Sequence, residues 1–144
     1  MTKTIQAIKD ICDLANSEYE FHYQSLLDEN YLTQNKAVGD KFVFLEEQQS
    51  GFFNLNFHLT KTTNHVLYVC TLVDALETDN ANKREVIREQ MQNEFIFPFI
   101  KILRESKYYN NGQAASLPFE APLPMFDNYA IVEILTFQTT EAVC

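Results

Sequence analysis

Three cysteines and three histidines are the residues of this chain that could supply a nucleophile, a general base or a soft metal ligand. A thiolate beside an imidazole is a pairing used in nucleophilic catalysis, and Cys70 with a histidine could form one. Cys70, however, lies in the middle of the apolar segment 66–73. Burial in such a segment raises a thiol pKa and lowers its reactivity. The sequence therefore predicts that Cys70 is a core residue.

The histidines and acids also lack the arrangement that catalysis or metal binding requires. Neither the histidines nor the cysteines show the short spacings of a zinc site. His22 and His58 fall on the polar faces of predicted strands and His65 in a predicted turn, so we expect all three at the surface. The adjacent Glu46 and Glu47 would point to opposite faces of a strand. We therefore predict no catalytic residue, no metal and no enzyme activity.

Glycine content and charge exclude further classes of function. Gly39, Gly51 and Gly112 are isolated, so no glycine-rich phosphate loop is possible and no cofactor is predicted. The net charge is −9, and no cluster of Lys and Arg offers the contacts that DNA or an anionic membrane would need. No signal peptide and no apolar run of about 20 residues is present. We expect the protein to stay in the reducing compartment where it is made.

Hydrophobic periodicity predicts the elements that would position these residues. Helical spacing predicts an amphipathic helix over residues 4–16 and a long helix over 82–106, which Pro98 should kink or divide near Phe97. Alternation and β-rich apolar runs predict strands at 19–24, 41–46, 53–60, 66–73 and 129–137. Polar segments predict a loop or turn at 28–39, 48–51 and 62–65.

The order of these elements predicts an α+β fold in one domain spanning residues 1–144. We expect an N-terminal helix and a mostly antiparallel sheet of about four or five strands. One long helix should pack on the sheet, and a C-terminal strand should complete it. The 12 Phe and 7 Tyr residues favour sheet structure.

The longest predicted loop, residues 107–128, contains a segment in which three prolines alternate with large apolar residues. We call residues 117–126 the strip. It has two interpretations: a docking arm for a neighbouring subunit, or a loop that lies back over its own sheet. As a docking arm, it would be mobile in an isolated subunit and ordered in an assembly. Its contact residues would be Leu117, Phe119, Met125 and Phe126.

The order of segments resembles that of the tail-terminator or tail-completion proteins of tailed phages. The matching segments are residues 5–15, 41–47 (KFVFLEE), 54–74, 79–91 and 129–137. The resemblance implies a structural virion protein, made in the host cytoplasm, that forms a ring of about six subunits at the head–tail junction, or neck. Its partners would be itself, the tail tube or sheath, and neck or connector proteins. DNA would pass through the ring without specific binding.

Other functions and other places in the virion remain open. Head–tail connectors, neck proteins and baseplate components share part of the same element order. Outside the virion, the chain could be a small adaptor or inhibitor that binds a host protein through its sheet or loops. A small hydrolase that uses Cys70 or a histidine ranks last, because Cys70 is expected in the core.

Overall fold

The computed structural model describes residues 2–109 and 116–143, apart from the side chain of Tyr31. It confirms the predicted α+β fold, with an N-terminal helix, a central sheet, a long helical segment and a C-terminal strand. The elements are α1 Lys3–Ala15, β1 Glu20–Gln24, α2 Leu26–Thr33, β2 Lys41–Glu46, β3 Ser50–Asn54, β4 Thr60–Leu72, α3 Ala81–Met91, a π-helical turn Gln92–Ile96, α4 Phe97–Glu105, β5 Phe119–Glu120 and β6 Ala130–Ala142.

The described residues form a sheet of six strands, one more than the upper end of the prediction. Its order is β1-β2-β4-β6-β5, and β3 pairs with β4 outside this path. Every pairing is antiparallel except that of β1 with β2. A parallel pair needs a crossover connection, usually helical, and α2 lies in this one. The predicted loop over residues 28–39 is therefore wrong for its first part, which is helical.

The C-terminal strand is longer than predicted and lies inside the sheet. β6 pairs with β4 over 13 residues, from Ala130 opposite Leu72 to Ala142 opposite Thr60. The predicted end of the strand at Phe137 is wrong. The polar residues that follow Phe137 continue the ladder because the first residues of β4, opposite them, are equally polar.

The two faces of the sheet are covered by different elements. On one face, α1 and the α3–α4 segment pack on the sheet around Ile8, Val43, Phe95, Phe99 and Leu135. On the other face, a smaller buried cluster contains Phe42, Phe44, Cys70, Leu72 and Val132. We call the first the helix face and the second the loop face, because part of the strip packs there.

The long helical segment is interrupted at the place that Pro98 predicts. Proline lacks a backbone N–H and clashes with the carbonyl four residues earlier, here that of Glu94. The chain responds with the π-helical turn, in which the Phe97 N–H donates to the Gln92 carbonyl. The Asn16 side chain then donates to the Glu94 carbonyl oxygen at 3.2 Å. This bond joins the end of α1 to the interrupted helix.

The hairpin in the middle of the chain differs most from the prediction. The predicted strand over 53–60 and the predicted turn over 62–65 are both wrong: β3 ends at Asn54 and β4 begins at Thr60. The Asn54 side-chain oxygen accepts the Asn56 N–H at 3.0 Å, which starts the reversal. Gly51 lies so close to β4 that a Cβ there would stand 2.0 Å from the Thr62 carbonyl oxygen. Only glycine therefore fits at position 51, where β3 approaches β4 this closely.

Candidate protein-interaction surfaces

The β3–β4 hairpin extends the sheet beyond the region in which its two faces are covered by the buried clusters. β2 and β3 lie one after the other along the same edge of β4, with β2 opposite Leu67–Thr71 and β3 opposite Thr60–Asn64. The last residues of β6, 138–142, flank the other edge of this extension. We call residues 50–64 the arm and its reversal, residues 55–59, the tip. None of the arm's apolar side chains belongs to either buried cluster.

Five large apolar side chains of the arm are exposed to solvent. Phe57 is 96% exposed and Leu55 is 84% exposed, both at the tip. The other three are Phe52, Phe53 and Leu59. Phe52 and Phe53 lie on opposite faces of β3, but Leu55, Phe57 and Leu59 are grouped within the five residues of the tip. Grouped exposed apolar side chains of this size usually mark an interaction site. The arm is therefore the strongest candidate surface among the described residues.

The arm is held in shape by polar cross-strand contacts. The hydroxyls of Thr62 and Thr140 lie 3.0 Å apart. The Asn64 amide donates to the Ser50 hydroxyl at 3.3 Å, and its side-chain oxygen accepts from Gln138 at 2.8 Å. The arm thus keeps its strand pairing without burying its own phenylalanines, which leaves them available to a partner.

The arm also lacks negative charge. All 20 acidic residues of the chain lie outside the stretch from residue 48 to residue 73, and Lys61 is the only fully charged side chain within it. The chain as a whole carries −9. Two copies of so acidic a chain repel each other, and a contact made through the arm would add the least to that repulsion.

Sequence reasoning missed the arm because its residues imitate a half-buried strand. Phe53, Leu55, Phe57 and Leu59 alternate with polar residues, as they would on a sheet that faces a core. Two signals pointed the other way: asparagines at positions 54 and 56, which favour turns, and the long stretch without acids.

The structure separates the four predicted contact residues of the strip. Leu117 is partly buried and packs against the helix-face core. Met125 and Phe126 are partly buried against the loop-face cluster, and the Phe126 ring lies 5.9 Å from that of Phe44. Phe119 is 64% exposed. Three of the four side chains therefore contact the chain's own core, and the interaction prediction now depends mainly on Phe119.

The backbone of the strip is bonded to β6. The Thr136 N–H donates to the Pro118 carbonyl at 3.1 Å, and β5 pairs with β6 immediately afterwards. Met125 and Ala130 exchange two backbone hydrogen bonds of 2.9 and 2.8 Å. Phe126 and Tyr129 have positive φ angles of 66° and 61°, in the tight reversal that leads into β6. The strip thus forms an edge of the sheet.

Phe119 forms part of a small apolar cleft on the helix face, between α4 and β5. Exposed Phe97 and Phe119 form its rim, and its volume is about 140 Å³. The other lining residues are Gln92, Ile96, Ile100, Leu117, Glu133 and Leu135. We call this group of residues the cleft.

A buried carboxylate lies in the floor of the cleft. Glu133 is 2% exposed, and its Oε1 accepts from the Gln92 amide at 2.7 Å. Burial raises the pKa of Glu133, while the Gln92 hydrogen bond and the Arg88 charge act in the opposite direction. The cleft therefore presents apolar walls and one polar pair, Gln92 and Glu133.

His22 is not the surface residue that its strand position predicted. Its side chain is 11% exposed, with Nδ1 2.6 Å from the Oε1 of fully buried Glu29 and the ring stacked on Phe42. Gln24 donates to the other oxygen of Glu29. Burial lowers the pKa of His22, but the hydrogen bond and charge of Glu29 outweigh it, so the pKa lies above its usual value. The cluster fixes α2 on the loop face.

The prediction of a surface turn is also wrong for His65, which lies in β4 and is 1% exposed. Its Nε2 is 2.8 Å from the Thr139 hydroxyl, and its Nδ1 has no hydrogen-bond partner among the described residues. Burial, with a smaller contribution from Lys61, lowers its pKa to about 4. A neutral imidazole thus lies at the root of the arm. His58 is exposed at the tip, as predicted, but in a turn and not in a strand.

Cys70 lies in the core, as the sequence predicts. It is fully buried in the loop-face cluster, and burial raises the pKa of its thiol well above the usual value. Cys12 is likewise buried, on the helix face, and its pKa is raised for the same reason. Neither sulfur is poised as a nucleophile.

In the ranges 2–109 and 116–143, no three side chains among His, Cys, Asp and Glu are grouped closely enough to hold a metal ion. No helix in the described part of the chain is long and apolar enough to cross a membrane.

No known protein family matches this chain, and no match was found among curated proteins. Function must therefore be inferred from the arm, the strip and the cleft.

Proposed function

We propose that this chain is a structural protein without enzymatic activity that assembles with copies of itself through the arm. The observation that carries the proposal is the arm's row of exposed side chains, with Phe57 and Leu55 at the tip. Burying one phenylalanine side chain contributes about 2 kcal/mol, so an interface that covers several of them can hold an assembly together.

The assembly we propose is a ring at the head–tail junction of a tailed phage. The support is the order of elements, which resembles that of tail-terminator and tail-completion proteins, together with a surface suited to self-association. The ring would contact the tail tube or sheath on one side and neck or connector proteins on the other. A net charge of −9 suits such a ring, because acidic walls keep passing DNA from adhering.

Light scattering combined with electron microscopy tests this proposal. We expect a mass several times the 16.8 kDa of one chain and closed rings with a central opening. Leu55→Ser should reduce the mass toward that of one chain. Leu76→Ser is a matched control, because Leu76 is equally exposed at 84% but lies outside the arm. A wild-type protein that stays monomeric at high concentration would contradict the proposal.

A second candidate function is supported by the outer edge of β3. Among the described residues, β3 pairs only with β4, so its other edge can accept a strand from a different protein. This is the geometry that a small adaptor or inhibitor would use. It predicts a monomer in solution that binds an extended peptide, and light scattering distinguishes it from a self-assembling ring protein.

A further inference from the structure

The tip and the cleft match each other in size and chemistry. The cleft of about 140 Å³ is lined mainly by aliphatic and aromatic side chains. An apolar cavity of about 150 Å³ in another protein is large enough to bind benzene. Phe57 carries a ring of this size and is 96% exposed. One chain therefore presents both a protruding phenyl group and a cleft that can receive it.

A chain cannot place its own tip in its own cleft. Leu135 lines the cleft, whereas the tip begins where Thr60 pairs with Ala142. Ala142 lies seven residues after Leu135 in β6, which corresponds to about 23 Å along an extended strand. The strand pairing holds the arm straight along this direction. Any ring that enters the cleft from a tip must come from another molecule.

Charge favours the arm of a second copy over most other segments of this acidic chain. The cleft contains the Glu133 carboxylate, and exposed Glu120 follows Phe119 in β5. The arm contains no carboxylate that these groups would repel. His58, next to Phe57, carries an exposed imidazole and no negative charge.

Resting on the self-assembly proposed above, we propose that Phe57 of one subunit inserts into the cleft of a second copy, between Phe97 and Phe119, and that Leu55 packs beside it against the rim. The two surfaces lie on different parts of the chain, so the contact is head-to-tail. Such a contact repeats from subunit to subunit and produces a ring where the rotation closes. It also gives the exposed Phe119 of the strip a function.

Mixing two defective variants tests this pairing. The tip variant carries Leu55→Ser and Phe57→Ser, and the cleft variant carries Phe97→Ser and Phe119→Ser. Each should weaken self-association by about 30-fold or more and run as a monomer of 16.8 kDa. An equimolar mixture retains one intact tip and one intact cleft, so it should form a heterodimer and nothing larger. A mixture that stays monomeric would overturn the pairing.

The outcomes separate this inference from the proposed function. If the wild type assembles and the tip variant does not, but the cleft variant assembles as the wild type does, the arm binds elsewhere and only the inference fails. If the wild type does not assemble, the proposed function fails as well. Circular dichroism and urea unfolding identify any variant that is misfolded.

Cross-linking tests the same contact by trapping it covalently. In a Cys144→Ser background, Phe57→Cys on one molecule and Phe97→Cys on another should form an intermolecular disulfide on mild oxidation. Cys12 and Cys70 are buried and should not compete. The matched control replaces Phe57→Cys with Leu76→Cys, and cross-linking as efficient with this control as with the tip would overturn the proposal.

Discussion

The arm and the strip both contain large apolar side chains, but those of the arm are exposed to solvent and most of those of the strip pack on the chain's own core. The arm pairs its backbone through polar ladders and leaves Phe57 almost wholly in solvent. The strip bonds its backbone to β6 and turns Phe126 against Phe42 and Phe44. Apolar content alone therefore does not identify an interface. The deciding property is whether other elements of the same chain cover the side chains.

The largest expected effect comes from Glu29, which fixes α2 on the loop face. α2 contacts the residues just after the strip, since the Asn30 side-chain oxygen accepts the Asp127 N–H at 3.2 Å. Glu29→Ala removes the acceptor for both His22 and Gln24 inside the loop face. We expect a loss of about 4 kcal/mol in the free energy of unfolding, measured with urea. Asp28→Ala, at the exposed neighbouring position, should change it by less than about 0.5 kcal/mol.

If Glu29→Ala and Asp28→Ala are equally stable, α2 is not anchored through its buried carboxylate. The segment that follows the strip would then be bonded to a less firmly held helix than the structure describes. The arm contains no buried ion pair among its described residues. The difference between the arm and the loop face would then be smaller than the structure indicates.

Acid should weaken the root of the arm. The pKa of His65 is lowered to about 4 in the folded protein from 6.5 when unperturbed, so the unfolded chain binds the proton more readily. The contribution of His65 to the free energy of unfolding is therefore fully present above about pH 6.5 and is lost as the pH falls toward 4. The loss is up to about 3 kcal/mol at pH 4. His65→Gln should flatten this part of the pH dependence of unfolding.

His58→Gln provides the control for His65→Gln, because His58 is exposed at the tip of the same arm. It should leave the pH dependence unchanged. An equal flattening in both variants would show that the His65 ring is not buried at the arm's root.

Phe126 tests the strip directly. Phe126→Ala removes a ring that packs on Phe42 and Phe44, and we expect it to lower the free energy of unfolding by about 2 kcal/mol. Phe126→Leu keeps most of the contact and should cost less. If Phe126→Ala unfolds at the same urea concentration as the wild type, the strip is not part of the chain's own core.

The smallest expected effect on stability is at the tip. Leu55→Ser combined with Phe57→Ser removes two large side chains that contact little of their own chain. The free energy of unfolding should therefore change by less than about 0.5 kcal/mol. Self-association should fall strongly in the same variant. A large loss of stability here, measured at a concentration where the wild type is monomeric, would remove the contrast between arm and strip.

Local patterns predicted the elements that their own residues determine. The buried residues of α1 recur at Ile5, Ile8 and Ile11, and Pro98 alone indicated where the long helix is interrupted. The fold class followed from the order of such elements. These features depend on contacts close in sequence or on one dominant periodicity.

The rest depends on contacts that are distant in sequence. His22 occupies the polar face of its strand, but α2 and Glu29 cover that face, which alternation within β1 cannot reveal. Phe57 alternates as a core residue would, yet no element covers it among the described residues. The cleft joins α4, β5 and β6, and its Glu133 is the single charge in the apolar first part of β6, residues 130–137. The His22–Glu29 pair and the cleft leave no local signal, whereas the tip leaves two, the asparagines at positions 54 and 56 and the stretch without acids.

Hydrogen exchange on dilute and concentrated protein tests the self-assembly of the chain through its arm most directly. In the monomer, tip amides 55–59 should exchange fast, whereas the Met125 amide should already be protected by its 2.9 Å bond to the Ala130 carbonyl. Assembly should slow exchange at the tip and leave Met125 as it was. The opposite result, an unchanged tip with a strip that becomes protected only on assembly, would contradict the account and restore the strip as the docking segment.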